Sequence, residues 1–221
     1  MTNPTTSHQK HYWTARMTRC KEALEKNNFT VYLADTAAAA CQIALETVIP
    51  AIRPGSFSWG DSLTYFSTGL PEILKQRADL RCVETFAENV SREEIMERRR
   101  QALLVDLFIT GTNAVTESGK LVNLDMVGNR VAGITFGPKH VLLFIGRNKI
   151  VADTGAAMAR IKHYAAPVNA IRHDCKTPCV KTGTCMDCKS PDRICNTWTI
   201  TEKSYPEGRI QVILINEDLG L

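Results

Sequence analysis

Residues 107–151, LFITGTNAVTESGKLVNLDMVGNRVAGITFGPKHVLLFIGRNKIV, set short apolar, β-prone runs between clusters of small and polar residues. Such runs can be buried as strands while the polar clusters gather at the strand ends, where a site can form. Leu104 to Ile109, Val131 to Phe136 and Val141 to Ile145 are short enough, and rich enough in β-branched or aromatic residues, to be expected as buried strands. The first polar cluster holds Gly111, Thr112, Asn113, Glu117, Gly119, Asn123, Asp125, Gly128, Asn129 and Arg130, and the second Gly146, Asn148 and Lys149. Glycines permit tight turns and close backbone approach, and amides and carboxylates offer directional hydrogen bonds. The same residues build ordinary hairpin turns, so a plain turn reading stands beside the binding-site reading.

The rest of the chain alternates helical and strand-like patterns, as a layered α/β fold does. Helices are expected at His11 to Asn27, at Thr36 to Val48 with Thr36 as cap, around Leu63 to Arg77, and from Ser91, where Ser91 and Glu94 have capping-box spacing. Strands are expected at Thr30 to Leu33, Ser56 to Trp59 and Arg81 to Thr85. Asp153 or Thr154 opens a further helix through Tyr164, which Pro167 is expected to end. A Cys-rich loop follows, then strands near Trp198 to Thr201 and Arg209 to Ile215. With 221 residues, 44% of them hydrophobic, one unit over 1–221 can bury a full core and carry residues 173–197 as a Cys-rich appendage.

Composition also narrows the setting. The apolar runs fall far short of a bilayer span and the start, MTNPTTSHQKHYW, lacks a signal peptide's apolar core, so the cytoplasm and no membrane insertion are expected. Net charge is +4, but the cations of Glu97 to Arg100 (ERRR) lie among acids in SREEIMERRRQALL. That pattern reads as a solvated helix face, and no nucleic-acid partner is expected. No G-x-G-x-x-G follows a strand, and Gly119-Lys120 lacks P-loop spacing. A flavin or nicotinamide would have to sit on another protein.

In WGDSLTYFSTG a strand delivers Gly60, Asp61 and Ser62 into a helix start, where free N–H groups could hold a carboxylate or phosphate. The plainer alternative is a helix cap by Asp61 or Ser62. Arg130 and Lys149 are the cations placed to meet a substrate carboxylate, Arg through a two-pronged fork and Lys as a point charge. Equally, they could neutralise Asp125 or Glu117 in structural ion pairs.

Five of the eight cysteines fall within 175–195, as HDCKTPCVKTGTCMDCKSPDRIC. In a cytoplasmic chain this concentration points to metal ligation before disulfides. Cys185 and Cys188 can face one ion across a turn, and Cys179 and Cys195 could complete four thiolates for a 4Fe–4S cluster or a tetrahedral zinc. Reduced thiols in a loop remain the metal-free alternative, and His173 is a possible substitute ligand. Cys20, Cys41 and Cys82 lie in helix or strand patterns and read as small core residues.

GTNAVTESGKLVN followed by GNRVAGITFGPKHVLLFIGRNKIV resembles the core signature of the lactate-utilization (LUD) domain family. The resemblance extends upstream to SWGDSLTYFSTG and downstream through KTPCVKTGTCMDCKSPDRICN, covering most of residues 11–221. It implies a layered α/β fold related to sugar-phosphate isomerases (NagB and RpiA types) and CoA transferases, and a role in oxidising lactate or a similar hydroxy acid. In those folds the loop matching Gly60 to Ser62 contributes to the ligand pocket. Because the similar run begins at KTPC, Cys175 is the spare thiol; the need for an electron outlet favours iron–sulfur over zinc. CoA transferases of related fold carry a nucleophilic glutamate in a Ser/Thr-Glu-x-Gly loop, which makes Glu117 in TESG the catalytic candidate, as nucleophile or as general base.

Two functions follow as expectations. In one, the chain is an accessory or electron-transfer subunit of a lactate-utilization system, binding a small carboxylate and docking on an iron–sulfur or other redox partner. In the other, it is an autonomous acyl- or CoA-transferase-like or isomerase-like enzyme with a structural zinc.

Overall fold

Apolar runs bury on both faces only if helices cover both sides of their sheet, and the computed structural model, which describes residues 4–87 and 89–221, has that arrangement. In chain order the elements begin α1 (Pro4–Lys26), β1 (Thr30–Ala34), α2 (Ala37–Ile43), a π-helical turn (Ala44–Val48), α3 (Ile49–Ile52) and β2 (Ser56–Trp59). There follow α4 (Leu63–Phe66), α5 (Leu70–Lys75), β3 (Arg81–Cys82), α6 (Arg92–Gln101), β4 (Leu107–Thr110), β5 (Ala114–Thr116), β6 (Leu121–Asp125) and α7 (Asn129–Thr135). The chain continues through β7 (His140–Gly146), β8 (Ile150–Val151), α8 (Thr154–Arg160), a π-helical turn (Ile161–Ala165), α9 (Ala166–Arg172), α10 (Pro178–Thr182), β9 (Thr197–Thr201) and β10 (Ile210–Ile215).

Six strands form one parallel sheet in the order β1-β10-β7-β4-β2-β3. A second, four-stranded sheet runs β8-β5-β6-β9 and is mostly antiparallel. The fold is therefore mixed α/β, as the alternating sequence pattern implied. Strand periodicity divides the core in two. Leu142 and Phe144 of β7, with Ile213 and Ile215 of β10, pack under α2 and α5 beside Phe57, Trp59 and Tyr65. The intervening Val141, Leu143, Ile145, Val212 and Leu214 pack on the opposite face against Met17, Cys20 and Leu24 of α1. Cys20 and Cys41 are core residues, whereas Cys82 is half-buried beside the first cluster.

Several helix starts follow their sequence signals. Thr36 Oγ1 accepts from Ala39 N at 3.1 Å, Ser91 Oγ from Glu94 N at 3.1 Å, and Asp153 Oδ1 from Ala156 N at 2.8 Å. α6 buries none of its residues and pairs Arg98 with Glu94 and Arg100 with Glu97, the solvated face expected of it. Among the described residues no helix is long and apolar enough to cross a membrane.

Five expectations need correction. Leu104 does not open a buried strand: it closes a short 3-10 turn and is exposed, and the strand begins at Leu107. Val131 to Phe136 is not a strand but the body of α7: Val131, Gly133 and Ile134 turn inward, while Phe136 is 84% exposed. The buried Arg209 guanidinium explains why a β-branched run accepts helical geometry. Its N–H groups donate to the carbonyls of Gly133, Ile134 and Pro138 at 3.1, 2.7 and 3.0 Å, satisfying the helix end. The helix expected over Leu63 to Arg77 is two, because Gly69 adopts φ 72° between them and Pro71 opens the second. Pro167 does not end a helix; it lies in the first turn of α9, which runs on to Arg172. Finally, β3 is shorter than the strand expected to reach Thr85.

Gly133 tests this packing. A Cβ there would stand 2.8 Å from the Phe108 ring, and Phe108 is itself fully packed, so the neighbour cannot give way cheaply. Gly133→Ala is expected to cost about 1–3 kcal/mol in denaturant unfolding despite alanine's better helix propensity.

Candidate functional site

The parallel strands β2, β4 and β7 all point their carboxyl ends at one cavity of about 420 Å³. This is where open α/β sheets place their ligands. Asp61 and Ser62 after β2, Gly111, Thr112 and Asn113 after β4, Asp125 at the end of β6, Asn129 and Arg130 of α7, and Lys149 after β7 line it together. Gly60 and Gly111 let the two loops close up. A Cβ on Gly111 would sit 2.6 Å from Ser62 Oγ, and one on Gly60 2.8 Å from Thr110 Oγ1 and 2.9 Å from Arg130 Cγ.

Arg130 is the organising side chain: its two terminal nitrogens make four hydrogen bonds and its Nε faces a carboxylate. It donates to Gly111 O at 3.3 Å, Asn123 Oδ1 at 2.7 Å, Asn113 Oδ1 at 2.9 Å and Leu124 O at 3.2 Å, and its Nε lies 3.2 Å from Asp125 Oδ2. The fork expected to grip a ligand carboxylate is thus spent on the protein. Asn123 lies beneath, its Oδ1 also accepting from Thr112 Oγ1 at 3.1 Å and Asn113 N at 3.2 Å.

The expected anion site at the start of α4 takes its plainer form. Ser62 Oγ accepts from Tyr65 N at 3.3 Å as a helix cap, and Asp61 pairs with Arg172 and, at 3.2 Å, with His173 Nε2. Asn169, Arg172 and His173 reach the cavity from α9 and its end, Arg99 from α6 and Phe86 from the loop before it. The sequence reading missed Phe86, Arg99, Asn169 and Arg172 as site residues and offered His173 only as a substitute metal ligand, because no strand-end cluster brings them in. His173, held on a carboxylate at the cavity, is a group able to exchange a proton with a bound hydroxyl.

The charge balance is lopsided. Asp125 is paired with Arg130 and Asp61 with Arg172, whereas among the described residues neither Lys149 nor Arg99 has an acidic partner, and Arg99 Nε is buried without a hydrogen-bond acceptor. Burial, then the nearby Arg160 and Arg130 charges, push the Lys149 ammonium down to about 7.

The cysteines surround a second, smaller cavity. Cys179, Cys185, Cys188 and Cys195 line it with Pro167, Thr177 and Arg193, whereas Cys175 lies on the main cavity. Among the described residues no three His, Cys, Asp or Glu side chains converge tightly enough to hold a single ion. Two cations stand beside the thiols: Lys162 and Arg193 share Asp187 at 3.0 and 2.9 Å, and Arg193 Nε donates to Cys195 O at 2.9 Å. Four thiols thus border one small space, with two cations beside them.

Comparison with known proteins adds a family. The LUD domain family matches residues 17–215. In structure the chain is similar to a DUF162 family protein from Deinococcus radiodurans, at 13% identity over 92% of this chain and 98% of that one, with a TM-score of 0.44. No curated protein matches it.

Some expected site residues lie elsewhere. Glu117 faces α1: its carboxylate accepts from Arg16 Nε at 2.9 Å and lies 2.8 Å from Arg16 NH2 and 3.5 Å from Arg19 NH2. Gly119 packs its backbone on Ala23 and Leu24 of the same helix. Asn148 ties the last residues, its Oδ1 accepting from Leu219 N at 3.1 Å and its Nδ2 donating to Gly220 O at 3.4 Å. The geometry gives Glu117 the work of fixing α1 to the β5–β6 turn, with Arg16 also against the rings of Tyr12 and Trp13. Glu117→Gln is expected to lower stability by about 1 kcal/mol, read as a lower midpoint in denaturant, while leaving ligand affinity at the cavity unchanged.

Proposed function

The chain belongs to the LUD domain family, and from that premise we propose that it serves lactate utilization by holding a small 2-hydroxy or 2-oxo acid in the main cavity. The observation that carries this reading is the unbalanced charge: the Asp61 and Asp125 side chains already have cationic partners, and among the described residues neither Lys149 nor Arg99 has an acidic one. A buried cation without a counter-ion favours an anionic guest, since the guest supplies the missing charge where water is scarce. The cavity also suits a small polar acid in its hydrogen-bonding groups: Asn129 and Asn169 line it, and His173 stands on Asp61 to handle a hydroxyl proton. The transferase alternative needs a carboxylate nucleophile in the cavity, and Glu117, its candidate, is engaged by Arg16 on α1.

For the second cavity the reading is a 4Fe–4S cluster on Cys179, Cys185, Cys188 and Cys195, with zinc as the alternative. A cluster bound there would supply a one-electron carrier for a redox partner. The protein's own part is to gather four thiolates and to offset their charge with Lys162 and Arg193.

Two measurements test these assignments. Lactate, glycolate or pyruvate at about a hundredfold excess over Kd is expected to raise Tm by about 5–10 °C, and Arg99→Gln to weaken that binding about tenfold or more. A shift with acyl-CoA species and none with small acids would favour the transferase. Anaerobically purified protein is expected to be brown, to bleach on reduction and to carry about four irons per chain, with Cys188→Ser losing the colour. Colourless protein with one zinc would support the structural-site alternative.

A further inference from the structure

Lys149 is a buried cation without an acidic partner among the described residues. It follows β7, is 4% exposed and lines the main cavity, yet no carboxylate among the described residues lies within ion-pairing distance of it. The charged groups nearest to it are both cations. Arg130 is fixed by the hydrogen bonds described above, and Arg160 donates to Asn148 O at 3.1 Å and Asn113 O at 2.8 Å, so neither can swing away. From α4 the neutral Thr64 hydroxyl approaches: a Cβ built on Gly220 would stand 2.5 Å from Thr64 Oγ1 and 3.1 Å from Lys149 Nζ, and Leu221 lines the same cavity with its terminal carboxylate outside ion-pairing distance of Lys149. A cation used only to bind an anion gains nothing from such surroundings when the site is empty. A primary amine used as a nucleophile does, because desolvation and neighbouring positive charge keep its lone pair free.

We propose that Lys149 Nζ condenses with the carbonyl carbon of a 2-oxo acid in the main cavity to form an imine. The proposal rests on the carboxylate-binding reading above, which puts the acid there. The amine lone pair attacks C2 and an N–C bond forms. The carbonyl oxygen then leaves as water, carrying away the two amine hydrogens, and a C=N bond replaces C=O. No electrons are gained or lost, and no oxidant or reductant is required. The substrate's carboxylate, drawn by Arg99 and by the fixed charges of Arg130 and Arg160, holds the adjacent carbonyl near the amine. A 2-hydroxy acid can occupy the same place but has no carbonyl to condense. With the amine pushed down to about 7, the reactive neutral form is well populated near neutral pH.

The test is reductive trapping on the full chain. Incubation with pyruvate or glyoxylate and cyanoborohydride should add one reduced oxo acid per chain, mapped by peptide mass to Lys149, and lactate should add none. Trapping should rise several-fold between about pH 6 and about pH 8. Lys149→Arg keeps the charge and cannot condense, so it should lose the adduct. Lys149→Met removes a buried unpaired charge, should fold at least as stably, and serves if the arginine does not fit. Adducts confined to surface lysines, or unchanged in both variants, would overturn the proposal. Thermal shifts run in parallel separate the two readings. A shift with lactate and pyruvate but no Lys149 adduct overturns the imine alone, whereas no shift and no adduct with any acid overturns the carboxylate reading as well.

Discussion

The Arg130 guanidinium ties together the ends of two sheets and the start of a helix. Its hydrogen bonds reach the end of β4 through Gly111 and Asn113 and strand β6 through Asn123 and Leu124, and its ion pair reaches Asp125, all from the first turn of α7. The parallel and antiparallel sheets meet at this point. A planar group with five donors can hold several acceptors in fixed relative positions, which a lysine's flexible point charge could not do. The cavity therefore has a floor built before any ligand arrives, with Gly60 and Gly111 stripped of side chains so that the strand-end loops can reach it.

That floor has an electrostatic consequence. Because Arg130 neutralises Asp125 and Arg172 neutralises Asp61, the carboxylates in the cavity do nothing for Lys149. Keeping an ammonium in such a place is unfavourable, and the fold's answer is an amine that titrates near neutrality. The linkage has a definite sign. With the folded-state value below the unfolded one, the penalty of burying the charge is fully present below about pH 7 and is shed as pH rises toward the unfolded value of 10.5. An anionic ligand opposes the shift and would draw a proton onto Lys149 as it binds, whereas imine formation consumes the neutral form. The same residue thus distinguishes binding from chemistry by the direction in which protons move.

Much of this was legible in the sequence, and the failures share a cause. β2 was readable to the residue, and Thr36, Ser91 and Asp153 announced their helices, since strand burial and caps are local matters. The clusters at Asp61 and Ser62, Gly111 to Asn113, Asp125 to Arg130 and Lys149 were readable as strand-end groups, and the structure brings residues of each to one cavity. Val131 to Phe136 could not be read correctly, because its helical form depends on Arg209, more than seventy residues away, closing the helix end. A six-residue apolar run has no period of its own strong enough to decide. Pro167 misled in the same way: a proline is compatible with a helix interruption or a helix first turn, and only the continuation to Arg172 distinguishes them. That one misreading also hid Asn169 and Arg172, which lie beyond the point where the helix was expected to stop, and left His173 to be read only as a substitute metal ligand.

The position of α9 gives those hidden residues more weight than any strand-end residue. Asn169, Arg172 and the following His173 line the main cavity, while Ala166 and Pro167 from the same helix line the cysteine cavity, and Ile194 borders both. One short helix and one aliphatic side chain therefore separate the main cavity from the thiols. Cys175 sits on the near side of that wall and the other four cysteines of the segment on the far side, which divides five thiols that look equivalent in the sequence. Any group gathering the four thiols would pull on the loop that follows α9, and α9 carries the Arg172 that pairs with Asp61. A change at the cysteine cavity and a change in the shape of the main cavity are in this fold mechanically adjacent, joined by a helix that faces both.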